Sequence, residues 1–316
     1  MEVMKTRQLK WDELANIQFD LLIAAGDDAF SLSREYSTFR ISQRLFIKPS
    51  QPGFFNLSAG KETSVTDHTL IELSPEKSDL LMQRLGSLLE KCGNDEITLL
   101  VDYTGMSKVW YAAVINYLMI NEKYCNRIRV YFLHISSARQ HAAGRRKSSA
   151  ARPVLKSAAA AKKVRKHKAL LVGLDATPSH ALALMKKLRP DKLVILYPEP
   201  GTDAAVTGKL LQSNQKIIQK AGAGNILPYP AHDIEKTEEI ISSLAFDLRL
   251  NHKVFLAPLG ARMLSLVCFI LYTRFPDVEV WVSNQPEHSL KTQASHDSPS
   301  IFEVVFARGD ASEWEE

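Results

Sequence analysis

Short apolar runs separated by helical stretches constrain this chain most. Phe19–Ala25 (FDLLIAA), Ile97–Val101, Ile128–His134, Ala169–Val172, Leu193–Tyr197, Val254–Ala257 and Val278–Val282 are each seven residues or fewer. Phe19–Ala25 in particular lacks the polar–apolar alternation of a strand with one wet face. A run apolar on both faces must be covered on both faces, as strands of a parallel sheet are between helices. Weaker strands are expected at Gln43–Lys48, Thr69–Leu73 and Asn225–Pro230, with Ile301–Phe306 as a final edge strand. Helices are expected from the cap Ser74-Pro75-Glu76 to Cys92, stopped by Gly93, and over Val109–Ile120 and Pro178–Leu188. Further helices are expected over Asp203–Lys220, ended by Gly222, and over Glu235–Arg249 and Met263–Arg274. Strands and helices in alternation imply right-handed βαβ crossovers. The fold class is therefore α/β, as two Rossmann-like, mostly parallel, three-layer domains.

At 316 residues the chain is long for one core. LLVDYTGMSKVWYAAVINYL (99–118) and VFLAPLGARMLSLVCFILYT (254–273) share a plan: a strand, a loop with one Gly, a basic residue, then an apolar helix. FDLLIAAGDD (19–28) likewise matches ALLVGLDATP (169–178). The period of roughly 150 residues suggests internal duplication. Between the halves, Arg145–Lys168 holds ten Lys or Arg and no acidic residue, although the whole chain carries only +5. Such a segment repels itself and buries little, so a flexible basic linker is expected at 141–168. The expected domains are 1–140 and 169–316, with an acidic, frayed tail at Asp310–Glu316.

Three distant cysteines, Cys92, Cys125 and Cys268, give neither a disulfide framework nor a zinc-ligand spacing. No metal and no cofactor is expected. The charged Met1–Trp11 lacks the apolar core of a signal peptide, and no run of 18 apolar residues occurs. A soluble cytoplasmic protein without membrane attachment is expected.

Ligands of open parallel sheets bind beyond the carboxyl ends of the strands. In the first half this selects Asp27 and the loop Asp102-Tyr103-Thr104-Gly105-Met106-Ser107-Lys108. Gly105 lets backbone approach a ligand, Thr104 and Ser107 offer hydroxyls, and a helix N-terminus beside Lys108 favours phosphate. The alternative is helix capping by Asp or Ser, with Lys108 in solvent. In the second half the rule selects Asp175, Thr177 and Ser179 of GLDATPS, and Arg262 after Gly260. Thr177 or Asp175 could equally cap a helix opened by Pro178. Neither a G-x-G-x-x-G loop nor a P-loop motif is present, so neither a standard dinucleotide site nor a P-loop ATPase is indicated. His134, His180 and His252 stand alone in the sequence and read as structural, and no catalytic residue is identified. The basic run offers Arg145, Arg146, Lys147, Lys162, Lys163, Arg165 and Lys166 for nucleic acid or an acidic protein surface.

The stretch LLVGLDATPSHALALMKKLRPDKLVILYPEP (170–200) resembles the CRISPR-associated Rossmann fold (CARF) sensor domains: strand, hydroxyl-bearing loop, helix, then a strand before an acidic residue. VDYTGMSK (101–108) resembles their later Asp-x-Thr-Gly-Gly-Thr-Lys motif, with Gly105-Met106 where the family has two glycines. The second half has LGAR (259–262) there, with Ala257 in place of the Asp. The tandem arrangement is similar to the paired CARF-like halves called SAVED. The resemblance implies a nucleotide-sensing or adaptor subunit of prokaryotic antiviral defence that recognises a cyclic or linear oligonucleotide, within a larger complex or homo-oligomer. It also admits a ring-nuclease-like enzyme acting on a nucleotide or phosphate ester, with Asp102, Lys108 and Asp175 as its chemistry.

Overall fold

The computed structural model describes residues 1–26, 36–50, 62–65, 68–74, 77–135, 151–156, 167–199, 204–283 and 299–308. The chain divides into two compact units: Met1–Ala142 with His296–Glu316, and Ala143–Ser295. In the first unit β1 (Glu2–Leu9), β2 (Gln18–Ala25), β3 (Arg40–Pro49), β4 (Glu62–Val65) and β5 (His68–Leu73) precede helix α1 (Asp79–Cys92). Then come β6 (Glu96–Asp102), α2 (Lys108–Ile120) and β7 (Arg127–His134). The second unit runs β8 (Arg152–Leu155), β9 (His167–Gly173), α3 (Pro178–Leu188), β10 (Lys192–Pro198), α4 (Ala204–Ser213) and α5 (Gln215–Ala221). It continues with β11 (Ile226–Tyr229), α6 (Ile234–Arg249), β12 (His252–Pro258), α7 (Arg262–Arg274) and β13 (Glu279–Val282). Finally, β14 (Ser300–Ala307) returns to the first unit.

The first sheet has the order β1-β14-β7-β6-β2-β3-β5-β4 and the second β11-β10-β9-β12-β13-β8. The blocks β7-β6-β2-β3-β5 and β11-β10-β9-β12-β13 are parallel. Strands β14, β1, β4 and β8 are antiparallel additions. Counted within its own unit, each parallel block reads third, second, first, fourth, fifth, as in a Rossmann-like sheet. The order reverses between β2 and β6 in the first unit and between β9 and β12 in the second. These are the two mostly parallel α/β domains expected. The strand order is common to doubly wound sheets in general, so it does not make one half a copy of the other.

Both-face burial explains the strongest strands. Phe19 and Leu21–Ala25 of β2, and Leu99–Asp102 of β6, are fully buried. The nearly all-apolar helix α7 is buried from Met263 to Thr273, packed on β12 and β13 and against α6.

Besides the short antiparallel strand β4, which was not expected, the structure departs from expectation at five places. Ile301–Phe306, expected at the edge of the second domain, is inside the first sheet, antiparallel to both β1 and β7. IFEVVF is apolar on both faces, and pairing on both sides also leaves no backbone row of this strand open; burying Phe302, Val304 and Phe306 contributes about 1.5–3 kcal/mol each. The odd residue, Glu303, is 1% exposed and is neutralised by Arg129 (2.9 Å), Arg7 (3.2 Å) and the Tyr131 hydroxyl (3.0 Å). Within the linker span 141–168, Arg152–Leu155 forms edge strand β8 on β13, so the second sheet begins before residue 169. The polar N-terminus is β1: an edge strand whose residues alternate in exposure does not need a continuous apolar run. The helix expected from Ser74-Pro75 begins at Asp79, and the carbonyls of Ser74 and Lys77 accept from the Trp110 indole N–H (3.2 and 2.9 Å). The helix expected over Asp203–Lys220 breaks at Asn214, whose side-chain amide donates to Leu210 O (2.9 Å) and competes with the helical ladder.

Candidate functional site

Each unit places its candidate loops at the carboxyl side of its switch point. In the first unit β6 ends at Asp102 beside Ala24 of β2. The fully buried Asp102 carboxylate accepts from the Thr104 amide (2.7 Å), an Asx turn, and from the Tyr36 hydroxyl. Burial, then the charge of Asp102 and the hydrogen bond to it, holds the Tyr36 hydroxyl well above its ordinary range, so Tyr36 remains a donor. Thr104 Oγ1 accepts from the Ile135 amide (2.9 Å). Ser107 caps α2 by accepting from the Trp110 amide (3.3 Å). Gly105 is seated against β2: a Cβ there would lie 2.1 Å from the Ala25 carbonyl oxygen. Lys108 is buried at the first position of α2. The polar groups of DYTGMSK are thus brought together, and Asp102, Thr104 and Ser107 are engaged in building the loop.

In the second unit Asp175 follows β9 and repeats the Asx turn. Its carboxylate accepts from the Thr177 amide, two residues on, as Asp102 does from Thr104. Its other oxygen lies 3.3 Å from His180 Nδ1, inside the first turn of α3. Asn214, 1% exposed, donates to the Asp175 carbonyl (2.9 Å). Both hydrogen bonds of that amide go to carbonyls, which fixes its orientation. Asn214 Oδ1 is then buried and has no hydrogen-bond partner among the described residues.

Two helices of ordinary length open at this switch point without a side-chain cap. Thr177 precedes α3 and makes no cap hydrogen bond, and Ala261 precedes α7 and has no acceptor to offer. Amides that open a helix are the donors that bind anions, although in α3 Pro178 carries no N–H and the His180 amide donates to Thr177 O (3.3 Å). Gly260 seats the loop after β12 on the loop after β9: a Cβ there would lie 2.3 Å from Leu174 O. It is the counterpart of Gly105 on Ala25. Ser179 is exposed on the first turn of α3, and Arg262 is half-buried at the first position of α7.

Asp175, Thr177 and Ser179 therefore share one loop and helix start, and Arg262 opens the helix after the neighbouring strand. Asp27 and the basic residues Arg145, Arg146, Lys147, Lys162, Lys163, Arg165 and Lys166 lie outside the described residues. Sequence reasoning missed Tyr36, which no local pattern joins to Asp102. It missed Asn214, whose one signal was an Asn interrupting a helical run. It read His180 as a lone structural histidine, although the i, i+5 spacing from Asp175 lets a strand-end carboxylate reach the helix that follows. His134 stacks on Tyr103 (5.2 Å). Among the described residues no group of His, Cys, Asp or Glu is arranged to hold a metal, and no helix is long and apolar enough to cross a membrane.

No family model matches the chain, and no curated protein matches it. One similar solved structure is the adenylation, ketoreductase and pseudo-Asub multidomain structure of a keto acid-selecting NRPS module. The identity is 10%, the TM-score is 0.23, and the match covers 88% of this chain and 34% of that one. The chain thus spans about a third of that neighbour's length. At this TM-score the likeness carries no argument about fold or function.

Proposed function

We propose that this chain is a nucleotide-sensing or adaptor protein of a prokaryotic defence system, taking a phosphate-bearing ligand such as a cyclic or linear oligonucleotide. The phosphate seat is the switch point of the second unit. The observation that carries this is the pair of helix starts, α3 and α7, that open there without side-chain caps while Gly260 brings their loops into contact. Amides at a helix N-terminus carry partial positive charge and are directed at whatever occupies the crevice. Arg262 adds a full charge at the start of α7, and Ser179 adds a hydroxyl at the start of α3. The corresponding helix in the first unit, α2, is already capped by Ser107. This asymmetry moves the phosphate contacts toward GLDATPS and LGAR, and it leaves DYTGMSK as a scaffold. Calorimetric titration of the folded chain against a panel of cyclic and linear oligonucleotides tests the reading. Saturable heat from at least one member is expected, and silence across the panel refutes it.

A processing enzyme is the second reading, supported by the Asp175–His180 pair. A carboxylate 3.3 Å from an imidazole orients that ring, the arrangement used in general acid–base catalysis. On this reading His180→Gln abolishes turnover of a bound phosphodiester while leaving its binding within threefold. Unchanged turnover removes the role.

A further inference from the structure

A second feature of the second unit lies at the opposite end of its sheet. His167, Lys192 and His252 are the first residues of β9, β10 and β12, and a groove of about 1000 Å³ runs along this amino-terminal edge. Lys186 and Arg189 at the end of α3, Lys192, and Lys220 near the end of α5 all line it. All four are exposed, and none has an acidic partner within 4 Å among the described residues. The negative end of α3 does not account for them. Its last carbonyls already receive the Lys168 ammonium (3.1 Å to Leu188 O) and the Arg189 amide (2.9 Å to Met185 O). Asp191, the acid in the groove, is turned to other work: its carboxylate accepts from the Lys168 amide (2.7 Å) and lies 3.9 Å from His167 Nδ1. His252 also lines the groove, and its Nδ1 is buried without a hydrogen-bond partner.

We propose that this groove is a sequence-independent binding surface for the phosphodiester backbone of single-stranded nucleic acid, separate from the ligand seat at the carboxyl ends. Unpaired lysine and arginine side chains along a groove neutralise successive phosphates and release counterions. The lining holds no Trp, Tyr or Phe, so it lacks both the aromatic anchors of protein–protein interfaces and platforms for stacked bases, which leaves the backbone phosphates as what it contacts. The basic run Arg145–Lys168 also ends in sequence at His167 and Lys168, on this same edge.

Fluorescence anisotropy of the full chain with a labelled 20-nucleotide oligo-dT, between 50 and 200 mM KCl, tests the proposal. The combined variant Lys186→Ala, Arg189→Ala, Lys192→Ala, Lys220→Ala alters exposed residues only and is expected to melt with the parent. At about 0.7 per phosphate contact, it should flatten the slope of log K against log salt by about 3. Its affinity at 50 mM KCl should also fall by at least tenfold. A companion variant with Gln at Lys162, Lys163, Arg165 and Lys166 is expected to retain the larger part of the affinity. The proposal is overturned if the parent does not bind, or if the groove variant keeps the parent's affinity and slope. It is overturned equally if poly-glutamate at matched charge displaces the oligonucleotide as well as unlabelled oligo-dT does, since the surface would then serve an acidic polypeptide.

Discussion

Replacing Gly105 by Ala probes how the first unit holds its switch-point loop. The new Cβ would sit 2.1 Å from the carbonyl oxygen of Ala25 and 3.0 Å from its carbon. Ordinary carbon–oxygen contacts begin at about 3.3 Å, so relief needs backbone to move by about 1 Å. Gly105 is not at positive φ, so the cost is steric and not conformational. Overpacking costs about 1–3 kcal/mol, and the upper end applies because both partners are backbone held by β2, β6 and the start of α2. At about 2–4 °C per kcal/mol for a domain of this size, Tm should fall by roughly 6–12 °C in differential scanning calorimetry. Gly260→Ala should behave alike in the second unit, against Leu174 O at 2.3 Å. The control is Gly208→Ala, inside α4 with nothing within 4 Å of the added methyl, which should gain about 0.5–1 kcal/mol. A Gly105→Ala protein that melts within about 1 °C of the parent would refute the seating of this loop on Ala25.

Other outcomes follow from particular groups. Burial works to raise the Glu303 carboxyl, but hydrogen bonds from Tyr131 and Arg129 and the charges of Arg129 and Arg7 outweigh it, and its pKa is lowered. A carboxyl lowered on folding stabilises above its unfolded pKa, so this stability should be lost as pH falls below the usual carboxylate range. Denaturant melts from pH 7 to 3 should show a steeper decline for the parent than for Glu303→Gln, which should itself be less stable at pH 7 by about 1–3 kcal/mol because Tyr131 and Arg129 lose a charged acceptor, while Arg129 keeps Glu96 at 3.0 Å. Ser107→Ala should cost about 1 kcal/mol through loss of the α2 cap, read from the same melts. Burial pushes the thiols of Cys92 and Cys125 up to about 11, so neither should react readily with iodoacetamide at pH 8 until the chain is unfolded. Rapid labelling of both in the native protein would contradict their placement.

Both-face burial leaves a plain trace in sequence, and this is why β2, β6, β7, β9, β10 and β12 were legible there. Their runs are apolar without alternation because both faces are buried, in the first unit partly against Leu14, Tyr36 and Phe39 and not against an α-helix. β14 was equally legible as a strand, but its partners were not. IFEVVF specifies burial, and nothing local says that the burial lies against β1 and β7, far away in sequence. β1 itself was hidden because an edge strand tolerates the polar residues of EVMKTRQL. The candidate loops were found by position alone, as the ends of apolar runs before helix starts. What the residues do there depends on long-range partners: Tyr36 on Asp102, Ile135 on Thr104, Asn214 on Asp175. The loop richest in hydroxyls, DYTGMSK, spends them on its own construction. The poorer loop, LGAR, leaves a helix start uncapped.

Ala261→Asp tests that contrast most directly. Ala261 has the extended backbone of an N-cap, φ −54° and ψ 144°, but no acceptor. An Asp there should cap α7, add about 1 kcal/mol of stability and set a carboxylate where the ligand phosphate is seated. The measurement is a calorimetric titration of parent and variant against the same oligonucleotide, beside their melting curves. The variant is expected to melt higher and to bind at least about tenfold more weakly, a loss of about 1.4 kcal/mol. A variant that melts higher and binds with the parent's affinity would contradict this seat for the phosphate.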